Sequence, residues 1–387
     1  MSKINVYQPQ YYKHFSCSGS VCKYNCCRFG WQIDIEKRTY DKYMSLDEEI
    51  KEEFLGKLKL IDGGKKGAQP LLDETGACLF LNETGLCSIQ LKLGLEYLSE
   101  VCWYYPRIFC QVGGSFERFL ELSCEEAAKL ILLDNNYMNF EEKELEPDPY
   151  NPGEPRFTFH MDTAKYTQNA NAIDIFWKLR VATVAILQTR KYKVRFRMLL
   201  LCLFIQEINE LFTLGRENEA VMRADSYMAG LENNSYDDLA ATMPDGADRE
   251  LDIVVDILKE MHKIKLQFKE SIEQVLKGFD MELHNWAAPA NFNENYIKYY
   301  EMYFADKEYI FENYLVHRVL SEGFPFNYRG ESDLMSNYVD LLAKYNIVEF
   351  LFTGVCRSSM KFDKRKIIDC ISLFTRGYEH SKRRYLM

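Results

Sequence analysis

Ten prolines in 387 residues are too few for a collagen-like or largely disordered chain, and no apolar run approaches the ~20 residues that span a bilayer. The longest such stretch, Met198 to Ile205, is about two helical turns and reads as buried core. The opening Met-Ser-Lys-Ile-Asn-Val-Tyr lacks the basic flank and apolar segment of a secretory leader, so the expected compartment is the cytoplasm, with no membrane partner. No Gly-x-Gly-x-x-Gly follows a clear strand and no Walker loop is present. The six histidines, His14, His160, His262, His284, His317 and His380, form no His-Glu-x-x-His pair, and each reads as a surface or satisfied core residue. A net charge of −10 argues against non-specific nucleic-acid binding.

What the chain does have is cysteine, unevenly placed. Nine of twelve fall within the first 124 residues, and the opening group reads Cys17-x4-Cys22-x3-Cys26-Cys27. Cys202, Cys356 and Cys370 stand singly in apolar stretches and read as core. Disulfide frameworks belong mostly to small secreted domains, whereas a long chain in a reducing compartment uses crowded cysteines for metal or redox chemistry. The Cys22-x3-Cys26 spacing lets two sulfurs converge on one centre, while the adjacent Cys26 and Cys27 diverge in regular structure. The pattern does not choose between zinc and [4Fe–4S], since both accept four thiolates. A radical-SAM triplet, Cys-x3-Cys-x2-Cys, is not matched.

The pattern predicts a mainly α-helical protein with a small irregular Cys-rich metal-binding N-terminal lobe. A Cys-rich region is expected over 1–145 and a helical region over 156–387, divided near the proline-rich segment 146–155. Helix is expected within 34–60, 89–98 and 124–133, and short strands are expected mainly within the first 122 residues. Cys78 to Ile89 reads as two apolar pieces around the turn Asn82-Glu83-Thr84-Gly85. Val254, Val255 and Leu258, with Leu251 and Met261, mark one apolar helix face, and Ser226 to Arg249 reads as a long loop.

At Phe15-Ser-Cys17-Ser-Gly-Ser-Val-Cys22-Lys-Tyr-Asn-Cys26-Cys27-Arg-Phe-Gly30-Trp31 the chain resembles the flagellin lysine-N-methylase family, often called FliB, and the wider group of small zinc- or iron-chelating Cys-rich domains. The likeness continues at Ala77 to Leu81, Gly85 to Gln90, Cys102-x3-Pro106-Arg107 and Leu122 to Ala128, where Glu125 stands in place of the family's usual proline. It reappears at Asn313-Tyr314-Leu315-Val316, at Phe324-Pro325-Phe326 and at Phe374 to Ser381. Little in 156–290 can be matched.

The resemblance implies methyl transfer from S-adenosylmethionine to lysine side-chain amines of flagellin, with a metal centre drawn from Cys17, Cys22, Cys26, Cys27, Cys78, Cys87, Cys102 and Cys124. Cys110 is left out because it matches no family motif. The resemblance favours [4Fe–4S] over zinc. Trp103, Tyr104 and Tyr105 are candidates for the donor site, because aromatic faces accommodate a sulfonium cation. Tyr314 and Glu379 are candidates at the reacting amine. A cleft is expected where Trp31 and Trp103–Tyr105 meet Tyr314, Phe324, Phe326 and the Arg376–His380 segment. Two other functions fit the same residues: a metal- or cluster-binding protein without transfer activity, and an interaction scaffold stabilised by metal.

Overall fold

A computed structural model of the protein describes residues 4–145, 158–243, 254–256, 258–259, 266–281, 286, 289, 292–328, 330 and 333–379. The segment 146–155, Leu251, Met261 and His380 lie outside the described residues, as does the side chain of Glu379. The chain is mainly α-helical. Its strands are β1 (Ile4–Pro9), β2 (Leu58–Leu60), β3 (Ala68–Pro70), β4 (Arg107–Val112), β5 (Ser115–Leu120), β6 (Phe140–Leu145) and β7 (Thr158–Met161). β2 and β3 form a small antiparallel pair, and the others form one sheet in the order β6-β1-β5-β4-β7. β4 and β5 are a hairpin closed at Gly113, which has a positive φ of 60°. β1 lies parallel to β5, and β7 lies parallel to β4.

Strands therefore extend beyond residue 122. β6 is the highly charged Phe-Glu-Glu-Lys-Glu-Leu, mostly exposed, with no alternating apolar pattern to betray it. It pairs with β1 at the sheet margin, where charged residues protect an edge against stray pairing.

The first helices are short: α1 (Lys37–Met44), α2 (Glu48–Leu55), α3 (Ser88–Leu93), α4 (Glu100–Tyr104) and α5 (Glu125–Leu132). Around α1 to α4 a small core of its own forms from Tyr43, Phe54, Phe80, Ile89 and Leu98, with Cys78, Cys87 and Trp103 packed against it. The helical body follows as α6 (Ala172–Leu187), α7 (Val194–Thr213), α8 (Glu217–Glu232), α9 (Asp237–Thr242), α10 (Leu266–Gly278), α11 (Phe292–Phe304), α12 (Tyr309–Glu322), α13 (Leu334–Ser359) and α14 (Lys364–Phe374). One turn, Thr375–Glu379, continues α14. Of the loop expected at 226–249, residues 226–243 are largely helix on both sides of a tight turn, and 244–249 lie outside the described residues. Asn234, at a φ of 64°, reverses the chain between α8 and α9, so Asn233-Asn234-Ser235 marks a turn rather than a long connection.

The large core joins the sheet to the helical body in one continuous cluster that includes Tyr11, Leu120, Ile131, Phe176 and Phe204. Met198, Leu200, Leu201, Phe204 and Ile205 of α7 are buried, as are Val254, Val255 and Leu258. Cys356 and Cys370 are buried too, and Cys202 is half-buried. α12 runs through the middle of the body, with every residue from Ile310 to Ser321 buried. Burying charge there requires full pairing. Glu312 accepts from Arg190 at 2.8 and 3.0 Å and from Arg197 at 2.7 Å. Arg180 of α6 likewise donates to Glu117 of β5 at 2.5 Å and to the carbonyls of Phe324 and Val319 at 3.3 Å each.

α10 and α13 cross where both lack a side chain. A Cβ on Gly278 would come within 2.1 Å of the Gly354 carbonyl oxygen, and one on Gly354 would meet Val275 Cγ1 at 2.7 Å. Neither helix can yield without opening the core around Phe279 and Phe350, whose rings lie 4.6 Å apart. Gly278→Ala should cost about 1–3 kcal/mol or more, the usual range for overpacking. Lys277→Ala, at an exposed neighbouring position, should stay within about 0.5 kcal/mol. Urea unfolding midpoints of the two variants give the comparison; equal midpoints would mean that the helices are free to separate.

Candidate functional site

The cysteine-bearing lobe is built from two copies of one turn. Asp73-Glu-Thr-Gly-Ala-Cys78 and Asn82-Glu-Thr-Gly-Leu-Cys87 share the pattern Asp/Asn-Glu-Thr-Gly-x-Cys. In the first, Asp73 Oδ1 accepts from the backbone of Thr75 at 2.8 Å and of Ala77 at 2.9 Å. In the second, Asn82 Oδ1 accepts from Leu86 N at 2.9 Å and from the Thr84 hydroxyl at 2.8 Å. Gly76 and Gly85 take positive φ, 85° and 79°, which closes each turn. The chain then pairs Leu72 with Cys78 and Leu81 with Cys87 in isolated antiparallel bridges. Reading 78–89 as a single hairpin passes over this duplication, and the visible signal was the repeated Glu-Thr-Gly-x-Cys.

Both turns dock on the opening cysteine group. The Cys78 N–H donates to the Cys27 carbonyl at 2.8 Å. Asn25 holds the other side, its Nδ2 donating to the Gly85 carbonyl at 3.0 Å while its Oδ1 accepts from Cys27 N at 2.9 Å. α4 supplies Cys102, with Ser99 capping the helix start. Cys26, Cys27, Cys78, Cys87 and Cys102 thus come within electrostatic reach of one another. Cys26 and Cys102 are exposed, and Cys27, Cys78 and Cys87 are half-buried.

The thiols differ in charge. A hydrogen bond from Cys27 holds Cys26 down at about 7, against burial and aided by Arg376, and the same bond, with burial, pushes Cys27 up. Burial raises Cys78 to about 11 and Cys102 to about 12. A second group stands beside the first. The Cys22 thiol lies 3.8 Å from Glu125 Oε2, and Cys124, at the start of α5, is its electrostatic neighbour. Glu125 also accepts from Lys23 N at 3.2 Å. Cys17 stands apart, exposed, with Gly19 N 3.4 Å from its sulfur. Cys110, in β4, is fully buried. Among the described residues, no three His, Cys, Asp or Glu side chains are arranged to hold a metal ion as they stand.

The aromatic candidates divide. Trp103 packs on the small core and Tyr104 is buried edge-on to Phe109. The Tyr105 ring meets Trp31 at 5.2 Å, and its hydroxyl shares a 3.1 Å hydrogen bond with Ser123. Among the described residues, the distal segment reaches this cluster through Arg376. Arg376 donates to the Ser123 carbonyl at 2.6 Å and lies over Phe29 at 4.9 Å and Trp31 at 5.4 Å. Tyr314, Phe324 and Phe326 are sealed in the large core, where Phe326 stacks on Tyr166 at 4.3 Å. A separate cavity of about 140 Å³ opens where Lys23 and Tyr24 meet Ser271 of α10 and Asp369 of α14.

The thiol charges predict an order of reaction. In metal-free, reduced protein, iodoacetamide at neutral pH should label Cys26 first, because only the thiolate attacks. Its rate should rise with pH and level off above about 7, whereas Cys78 should gain rate only toward about 11. Mass-spectrometric mapping after brief labelling reads this order, and equal labelling of Cys26 and Cys78 at neutral pH would contradict it.

The family model for the FliB lysine N-methylase C-terminal domain matches residues 180–385. The chain is 35% identical over 178 residues to flagellar biosynthetic protein FliU of Salmonella muenchen, a match covering 45% of this chain and 98% of that protein. It is 34% identical over 154 residues to a lysine-N-methylase of Salmonella choleraesuis (strain SC-B67), and 33% identical over 154 residues to one of Salmonella typhimurium (strain LT2). Each of these two matches spans 39% of this chain and 38% of the relative's length. No solved structure matches the chain. With more than half of its length matched by the family model, the chain belongs to the FliB lysine N-methylase family.

Proposed function

We propose that the protein transfers methyl groups from S-adenosylmethionine to lysine side-chain amines of flagellin. The observation that carries this reading is the match of residues 180–385 to the lysine N-methylase domain, supported by the relatives' names, lysine-N-methylase and flagellar biosynthetic protein. The reaction sets clear demands. The amine must shed its proton before attacking the sulfonium methyl, so the site has to lower its pKa or supply a base. Tyr314, sealed beside Arg318, suits a positioning role, and Glu379 remains the candidate for a base. A cytoplasmic setting suits the twelve free thiols.

The same reading includes a thiolate-bound metal centre. The donor set fits such a group: two thiols on matched turns, Cys78 and Cys87, face Cys26, Cys27 and Cys102 within mutual electrostatic reach. Cys17, Cys22 and Cys124 complete the proposed pool. A [4Fe–4S] cluster is preferred to zinc, and bound there it would tie the opening segment to the two turns and α4. The placement of Trp31, Trp103, Tyr104 and Tyr105 around these thiols supports a framing role at the centre rather than at the donor. The Cys-rich part and the helical part are proposed as two functional regions meeting at Arg376.

Incubating anaerobically purified protein with flagellin and methyl-labelled S-adenosylmethionine should place label on flagellin lysines. Metal binding without label would favour the binding or scaffold reading. The purified protein should be brown with broad visible absorption, and the double variant Cys78→Ser with Cys87→Ser should lose both colour and metal while Cys202→Ser keeps them. Colourless protein with stoichiometric zinc would reverse the choice of metal, and full metal in the double variant would remove these two thiols from the centre.

A further inference from the structure

Arg376, in the turn that continues α14, is 3% exposed and has no acidic partner among the described residues. The other buried arginines there each have one. Arg180 meets Glu117 at 2.5 Å, Arg197 meets Glu312 at 2.7 Å and Arg318 meets Glu322 at 3.7 Å. Arg376 spends Nε on the Ser123 carbonyl at 2.6 Å, and its Nη1 is closed off from solvent without a hydrogen-bond partner among the described residues. The guanidinium lies over the rings of Phe29 at 4.9 Å, Trp31 at 5.4 Å and Tyr24 at 6.0 Å. Ring faces attract a cation but carry no net charge, so they leave its charge unbalanced. A buried charge in that state is costly.

The nearby carboxylates do not supply the balance. Glu125 and Asp369, which Lys23 meets through its N–H and its ammonium, are held by further cations. Glu125 pairs with Lys129 at 3.1 Å and Arg365 at 3.2 Å, and Asp369 pairs with Arg365 at 3.3 Å. What surrounds Arg376 is thiol-bearing chain. Ser123 precedes Cys124, Tyr24 lies between Cys22 and Cys26, and Phe29 and Trp31 follow Cys27. Its charge acts on Cys22, Cys26 and Cys124. Metal binding turns such thiols into thiolates. Four thiolates outweigh the charge of zinc or of a [4Fe–4S] core, so either centre is anionic.

We propose that Arg376 is the counter-charge of the thiolate centre, a positioning residue on the closing segment whose cation stabilises the metal-loaded state. The assignment rests on the metal-centre reading. Arg376 belongs to the matched domain and the thiols precede it, so charge as well as packing couples the two regions. With a cluster bound, the cation would also favour its reduced form and raise its reduction potential.

Anaerobic potentiometric titration of the full, metal-loaded chain, followed by bleaching of its visible absorption, tests this. Arg376→Gln keeps a donor for the Ser123 carbonyl but loses the charge. Its midpoint potential should fall below that of the unaltered protein, since net charge and hydrogen bonds around the sulfurs tune such potentials. In competition with a chelator it should hold metal about 10–100-fold less tightly, the usual cost of losing a group that supports metal ligands. Arg376→Lys keeps the charge and loses the flat group on the rings, so its potential and metal affinity should stay close to those of the unaltered protein. Far-UV circular dichroism checks folding. Unchanged potential and affinity in a folded Arg376→Gln overturn the proposal, as does loss of metal from a folded Arg376→Lys, which would mark a packing role. If Arg376→Gln does not fold, Arg376→Lys decides, by keeping or losing metal and potential. If the metal is zinc, the chelator competition carries the same comparison. An unaltered chain that takes up neither cluster nor zinc overturns the metal reading itself, and the counter-charge with it.

Discussion

The buried pair between Arg180 and Glu117 is the constraint on which the rest of the architecture hangs. Glu117 sits in the middle of β5, the strand that pairs with both β1 and β4. Arg180 comes from α6, and its remaining donors reach the carbonyls of Val319 and Phe324 just where α12 ends. Tyr328 adds a 3.0 Å hydrogen bond to the same carboxylate. One guanidinium thereby fixes the sheet, the first helix of the body and the turn after the central helix in a single arrangement. Removing either charge would strand the other in the interior, a loss of several kcal/mol, so the pair specifies geometry even where it adds little net stability.

The sheet so fixed sets the cysteine region of the molecule. β1 runs on into the opening cysteine group. The β4–β5 hairpin enters from α4, which carries Cys102, and leaves toward Cys124 at the start of α5. Arg376 closes the circuit from the far end of the chain, bridging the Ser123 carbonyl and the Phe29–Trp31 pair. Its positive charge also favours the thiolate at Cys26, so a residue of the closing segment acts on the electrostatics of the first.

The helical class and the crowding of thiols were legible because they rest on local signals: composition, spacing and periodicity. The features that failed to show are those made by tertiary contact. α12 is buried on every side, so no apolar stripe marks it, and its Glu312, Asn313, His317 and Arg318 are polar residues held in the interior. β6 is charged because it lies at an edge. The stretch 226–243 misled because Asn and Ser favour turns of any length, and here the four residues 233–236 sufficed. The aromatic candidates were chosen for chemistry that packing had already claimed: Phe324 and Phe326 serve the core, and Tyr105 serves Trp31.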